Sequence, residues 1–182
     1  MKVIVLGGGV VGVTSAYYLA KEGHEVTVID RGPAPAAETS QGNAGMLCFG
    51  LAEPWAAPGV PWQAARWLLA AQAPLRLTAW TDPAMWRWLR QAWANCAPGR
   101  FAVNRERLTR LALYSRERLK VVRALTGIDY DGRQRGTVVV CRTAADLVRA
   151  EEEGQFYRRH GIDFQVVDRT ACFGFEPGLA HS

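Results

Sequence analysis

A short apolar run that breaks into glycines and resumes as a helix limits more than any other feature how this chain can fold. Val3-Ile4-Val5-Leu6 is unbroken and rich in β-branched residues, as a parallel strand buried on both faces requires. It ends in Gly7-Gly8-Gly9-Val10-Val11-Gly12, which satisfies G-x-G-x-x-G. Val13 to Glu22 then reads as a helix, with Val13, Ala16, Tyr17 and Ala20 near one face and Gly23 as its stop. A second strand, Val26 to Ile29, ends at Asp30, separated from Gly12 by seventeen residues.

That spacing has a geometric cause. One helix and one return strand carry an acidic side chain to the carboxyl edge of the sheet, where it can accept hydrogen bonds from ribose hydroxyls. Gly7 permits the tight turn, Gly9 lets backbone approach a pyrophosphate, and Gly12 lets helix and strand pack closely. The helix amino terminus offers unpaired N–H groups and a favourable dipole to the phosphates. Asp30 favours a dinucleotide with free ribose hydroxyls over one with a 2′-phosphate, although Arg31 beside it softens that preference. To this point the pattern does not separate FAD from NAD.

The next segment does. Glu38-Thr39-Ser40-Gln41-Gly42-Asn43-Ala44-Gly45 resembles the bacterial D-amino acid dehydrogenases of the glycine-oxidase and D-amino acid oxidase superfamily. So do Pro54-Trp55-Ala56-Ala57-Pro58-Gly59, Tyr114-Ser115, Thr126-Gly127-Ile128-Asp129-Tyr130, Arg135-Gly136-Thr137 and Phe175-Glu176-Pro177-Gly178-Leu179. The resemblance implies FAD as cofactor. Its contacts would be Gly7, Gly8, Gly9, Val10, Val11, Gly12, Asp30 and Arg31 toward the ADP end, and Thr39, Ser40, Asn43, Ala44 and Gly45 toward the flavin. It also implies oxidative deamination of a D-amino acid to a 2-oxo acid and ammonia, with hydride passing from Cα to flavin N5. Because the cofactor carries that chemistry, no nucleophile or catalytic triad is required, and no catalytic residue is assigned. Electrons would leave to a respiratory acceptor, with the protein in the cytoplasm, peripheral on the inner face of the cytoplasmic membrane. Flavin amine oxidases acting on glycine or sarcosine are the neighbouring reading, and a non-catalytic FAD-binding half of a split enzyme is one of a different class.

The expected fold class is α/β: a Rossmann-like FAD-binding βαβ unit with its flavin-contacting loop at 1–50, then the start of an α+β substrate domain at 51–182. In that second part Leu108, Leu111, Ala112, Ser115, Leu119 and Val122 recur at helical spacing before Gly127, with arginines covering the other face. Thr137 to Cys141 reads as a strand, Ala144 to His160 as a charged helix and Phe164 to Val167 as another strand. His24 and His160 read as helix-end or surface groups. All seven tryptophans lie from Trp55 to Trp93 with Arg66, Arg76, Arg87 and Arg90 among them, and core or pocket lining is preferred over a membrane-seating surface.

The fold is expected to be incomplete. Family members continue for more than half of their sequence beyond the region matched here, and two parallel strands with one crossover helix leave an apolar edge and face uncovered. A companion chain carrying the missing part would cover them. Net charge of +5 without a run of like charges is read as weak evidence about partners, and no nucleic-acid-binding motif accompanies it. Cys48, Cys96, Cys141 and Cys172 are too scattered, with only three histidines, for a zinc site or a small disulfide framework. Lys2 and the apolar stretch after it superficially resemble a signal peptide, but Gly7 to Gly9 interrupt it where a continuous helix former is needed.

Overall fold

The computed structural model describes residues 1–68, 80–130 and 132–181, of which the chain forms two compact units, Met1–Leu47 and Cys48–Ser182. Arg76 and Ser182 lie outside the described residues. The division falls three residues before the expected one at 50/51.

In the first unit, β1 (Lys2–Leu6), α1 (Val10–Lys21) and β2 (Glu25–Ile29) follow one another, and β1 pairs with β2 in parallel from Lys2↔Glu25 to Leu6↔Ile29. Period-two alternation sends Val3, Val5 and Val26 to the face that is partly covered, while Ile4 and Leu6 are 64% and 80% exposed on the other. This is the uncovered sheet face expected from the sequence. The helix begins at Val10, three residues earlier than the apolar pattern suggested, because Gly9 can serve as its N-cap and Val13 N–H already bonds Gly9 O at 2.9 Å. Gly23, at φ +83°, turns the chain out of α1 as a left-handed residue should.

All regular elements among the second unit's described residues are helical. A 3-10 turn (Phe49–Leu51) precedes α2 (Val60–Leu68), α3 (Pro83–Asn95), α4 (Pro98–Thr126), α5 (Ala144–Arg159), α6 (Arg169–Phe175) and a final 3-10 turn (Pro177–His181). The helix starts are encoded locally. Asp82 and Asp168 accept from Ala84 N and Ala171 N, both at 2.8 Å, and Thr143 with Asp146 forms a reciprocal capping box at the head of α5. Pro98 opens α4, and Gly127 at φ +59° closes it.

Neither strand expected in this unit forms, so the α+β expectation for it gives way to a helical description. Val138, Val139 and Val140 have the right side chains but no ladder partner, and they are 42%, 63% and 56% exposed. Phe164 is diverted to packing. Its ring lies 5.3 Å from that of Tyr157, against the Cβ-less backbone of Gly154, and its carbonyl accepts from Arg158 Nη1 at 3.2 Å instead of from a strand neighbour. The face of α4 also differs from its apolar pattern: Leu111 is 63% exposed, whereas Arg105 and Arg123 turn inward beside Leu108, Ala112 and Leu119.

The centre of this unit is small and unusually polar. Tyr157 and Phe156 are 2% and 9% exposed, and the Arg105 guanidinium sits 4.0 Å over the Phe156 ring. Glu53 takes the Tyr157 hydroxyl at 3.1 Å and faces Arg105 Nη2 at 2.5 Å, an approach not aligned for a hydrogen bond, so Arg105 Nε and Nη2 stay without one. This triad ties the segment after Leu51 to α4 and α5. At the end of α5, His160 bridges Phe156 O and Glu106 Oε2, each at 2.8 Å, which makes it a helix-end group as expected. Tryptophan does not contribute to this core. All seven are exposed, from Trp67 at 36% to Trp55 at 95%, which overturns the core role preferred from the sequence, while Trp62 and Trp93 line an open depression.

Candidate dinucleotide site

The glycine loop is built by close approach. A Cβ on Gly12 would lie 1.8 Å from the Gly7 carbonyl oxygen, inside any permitted contact, so α1 can start this near the end of β1 only with glycine there. Gly7 itself has φ +102°, the conformation that lets the chain reverse from strand to helix. The consequence is a helix amino terminus held open beside the carboxyl edge of the sheet. The N–H groups of Val11 and Gly12 have no acceptor among the described residues, the arrangement that receives a phosphate.

The chain after β2 folds back onto this loop. Asp30 Oδ2 accepts from Gly8 N–H at 2.5 Å and Oδ1 from Gly32 N–H at 2.7 Å. Those two backbone donors, foremost Gly8, hold its carboxyl below the ordinary aspartate value, with the Arg31 charge adding to the effect. Asp30 is therefore an anion at neutral pH, and a carboxylate offers about four acceptor positions, so roughly two stay open for hydroxyl groups. Ala36 N–H bonds Gly8 O at 2.9 Å, with Ala36 at φ 59°, a left-handed conformation that a residue with a Cβ rarely adopts. Ser40 Oγ accepts from Val10 N–H at 3.0 Å, capping α1 from thirty positions away.

The remaining expected contacts divide. Arg31 is engaged in a two-point pair with Glu38, Nε to Oε1 at 3.0 Å and Nη2 to Oε2 at 2.8 Å, which raises its pKa and directs its charge toward the loop. Asn43 is turned inward on its own segment, donating to Ser40 O and accepting from Gly45 N–H at 2.6 Å. Thr39 and Ala44 are exposed, and neither makes a side-chain hydrogen bond to the glycine loop. Glu38 and Ala36 were missed as site residues. Glu38 opened the recognised segment, but its tie to Arg31 spans seven loop residues, a distance no periodic spacing rule covers. Ala36 gives no signal at all, because alanine seldom marks a left-handed position.

The family model described as DAO, FAD dependent oxidoreductase, matches residues 2–182. A D-amino acid dehydrogenase of Azorhizobium caulinodans is 50% identical over 98% of this chain and 43% of its own length. Those of Agrobacterium fabrum and Allorhizobium ampelinum are 49% and 51% identical over 99% of this chain, again 43% of their own length. The chain thus spans less than half the length of the curated relatives it matches. No solved structure matches it significantly.

Proposed function

Since the chain belongs to the DAO family of FAD-dependent oxidoreductases, we propose that it is the ADP-binding, amino-terminal portion of a D-amino acid dehydrogenase, with FAD as its cofactor. The observation that carries the reading is the 1.8 Å approach that a Gly12 Cβ would make to Gly7 O, which leaves a backbone cradle at the start of α1. The residues fit the cofactor. Backbone from Gly7 to Gly12 would hold the pyrophosphate, and Asp30 the adenosine ribose. Ser40 spends its oxygen on Val10 N–H and keeps its own O–H free to donate to a phosphate oxygen. Thr39, Asn43, Ala44 and Gly45 would line the flavin end, where small polar groups can hydrogen-bond the ring edge without covering its face.

Bound flavin supplies a two-electron acceptor for oxidation of the substrate's Cα–H bond. This chain's own part is to bind and orient. It fixes the phosphates by backbone N–H groups, keeps an anionic acceptor at the ribose, and neutralises Arg31 with Glu38. The substrate class, a D-amino acid, follows from the relatives' names. A respiratory electron acceptor and a peripheral seat on the inner face of the cytoplasmic membrane belong to the same proposal. No described helix is long and apolar enough to cross a membrane. The exposed face of Ile4 and Leu6, joined by Ile29 at 50%, supports a further element: the chain turns over substrate only with a companion segment that completes the sheet.

The test is to purify the chain, record its visible spectrum and identify any released nucleotide by chromatography. About one FAD per chain is the expected result with the glycine cradle intact. A well-folded protein carrying NAD, or binding neither nucleotide, would sink the reading. Turnover of D-alanine by the chain alone would remove the companion segment from it.

A further inference from the structure

The charge of this molecule is less evenly placed than its sequence first suggests. Between Glu53 and Glu106 stand six arginines (66, 76, 87, 90, 100 and 105) and a single acid, Asp82, while the 16 basic and 16 acidic residues elsewhere balance. The whole formal excess of +5 therefore comes from the stretch that also holds all seven tryptophans. Asp82 is committed to capping α3, and Arg105 to Glu53. Arg66, Arg87, Arg90 and Arg100 are exposed, and none has a carboxylate partner among the described residues.

The structure brings two of these arginines, Arg90 and Arg100, to one surface feature. Arg90, Gln91 and Asn95 of α3 and Arg100 in the first turn of α4 line an open depression. Ala94 joins its wall to that of a second one, lined by Trp62, Trp93, Pro61 and buried Cys96. Two cations thus lie beside two indole rings that are 75% and 63% exposed. Nearby in sequence, Trp86 is fixed by its indole N–H to Trp80 O at 2.8 Å, so part of the aromatic set is ordered before anything binds.

We propose that the α2–α3 surface with the start of α4 docks on an anionic lipid bilayer, Arg90 and Arg100 receiving lipid phosphates while Trp62 and Trp93 enter the headgroup boundary. Unpaired arginines next to amphipathic indoles match that boundary in both charge and polarity. An apolar protein partner would match the tryptophans but leave the arginines unpaired. The inference sharpens the membrane part of the proposed function and stands apart from its cofactor and substrate parts.

The experiment is co-sedimentation of the full chain with vesicles of phosphatidylcholine alone or with about one-third phosphatidylglycerol, reading tryptophan emission in parallel. Binding only to the anionic vesicles, with a blue shift and weakening at high salt, is expected. Arg90→Ala with Arg100→Ala should lower partitioning about 30-fold, since each cation near such a surface is worth about a factor of five. Trp62→Ala with Trp93→Ala should remove most of the blue shift. Far-UV circular dichroism checks that both variants fold, and the salt dependence of the unaltered chain tests the charge contribution without any substitution. Equal binding to neutral vesicles, or binding indifferent to salt and to both variants, overturns the assignment of this surface. No vesicle binding at all, above all with concentration-dependent self-association that shields the tryptophans, overturns the membrane reading in favour of a protein partner. FAD content, measured on the same samples, stands or falls independently.

Discussion

The two compact units are stabilised in opposite ways. Met1–Leu47 is held by backbone: a five-residue parallel ladder, a glycine cradle and donors from Gly8, Val10 and Ala36 aimed at nearby oxygens. Cys48–Ser182 is held by side chains, with Glu53, Arg105, Phe156 and Tyr157 at its centre and local caps at its helix starts. At Gly12 the first arrangement tolerates no added atom, because the Gly7 backbone cannot move aside. The second tolerates shape changes but depends on charge balance. One unit leaves backbone N–H groups open at a helix start, and the other spends its polar groups on its own helices.

The sharpest way to break that contrast is Gly12→Ala. A methyl group 1.8 Å from Gly7 O forces α1 away from β1, so we expect at least a hundredfold loss of FAD affinity by fluorescence titration and destabilisation of about 3 kcal/mol in the first unit. Normal FAD binding by this variant would show that the cradle is not the cofactor site. Next in size, Glu53→Gln leaves the Arg105 guanidinium, 14% exposed, without its counter-charge. A loss of about 2 kcal/mol in urea unfolding is expected, below the full value for a buried pair because Glu53 is 37% exposed, with FAD affinity unchanged. A change in FAD affinity would erase the distinction between the units.

Ser40→Ala should cost about 1 kcal/mol, the usual loss of a helix cap, and weaken FAD binding several-fold by removing a phosphate donor. Loss of stability without loss of affinity would make Ser40 a cap alone. The smallest effect is a pH dependence confined to the second unit. His160 has its pKa raised above 6.5, first by Phe156 O and then by Glu106. A raised folded value means that this contribution is complete below about pH 6.5, the unfolded value, and fades as pH rises through the folded one. Urea midpoints should therefore fall between pH 6 and pH 9, and His160→Gln should flatten the decline. An unchanged slope in that variant would assign it to another group.

How much of this was legible depends on the range of the interaction. The βαβ unit could be read from residues alone, since strand, glycine turn, helix and Asp30 are set by local periodicity and by one fixed crossover length. Two helices of the second unit, α4 up to its stop at Gly127 and α5 from Ala144, were readable for the same reason, whereas α2, α3 and α6 were not read. Strand formation at Thr137–Cys141 and Phe164–Val167 was not, because β-branched and aromatic side chains favour a ladder only where a partner strand exists, and Phe164 found Gly154 and Tyr157 instead. The tryptophans misled for a related reason: composition says that they are apolar, whereas exposure depends on which surfaces meet.

The sequence by itself therefore determined the βαβ order with its glycine turn, the helices ending at Gly127 and starting at Ala144, and the family, the first two carried by neighbours within about one element and the last by motifs spread along the chain. Only tertiary structure decided that Asp30 braces Gly8, that Ser40 caps α1, that Glu38 takes Arg31, and that Arg105 is inside while every tryptophan is outside. Those contacts join residues through space, and the free energy that selects them comes from burial and pairing that no local pattern contains.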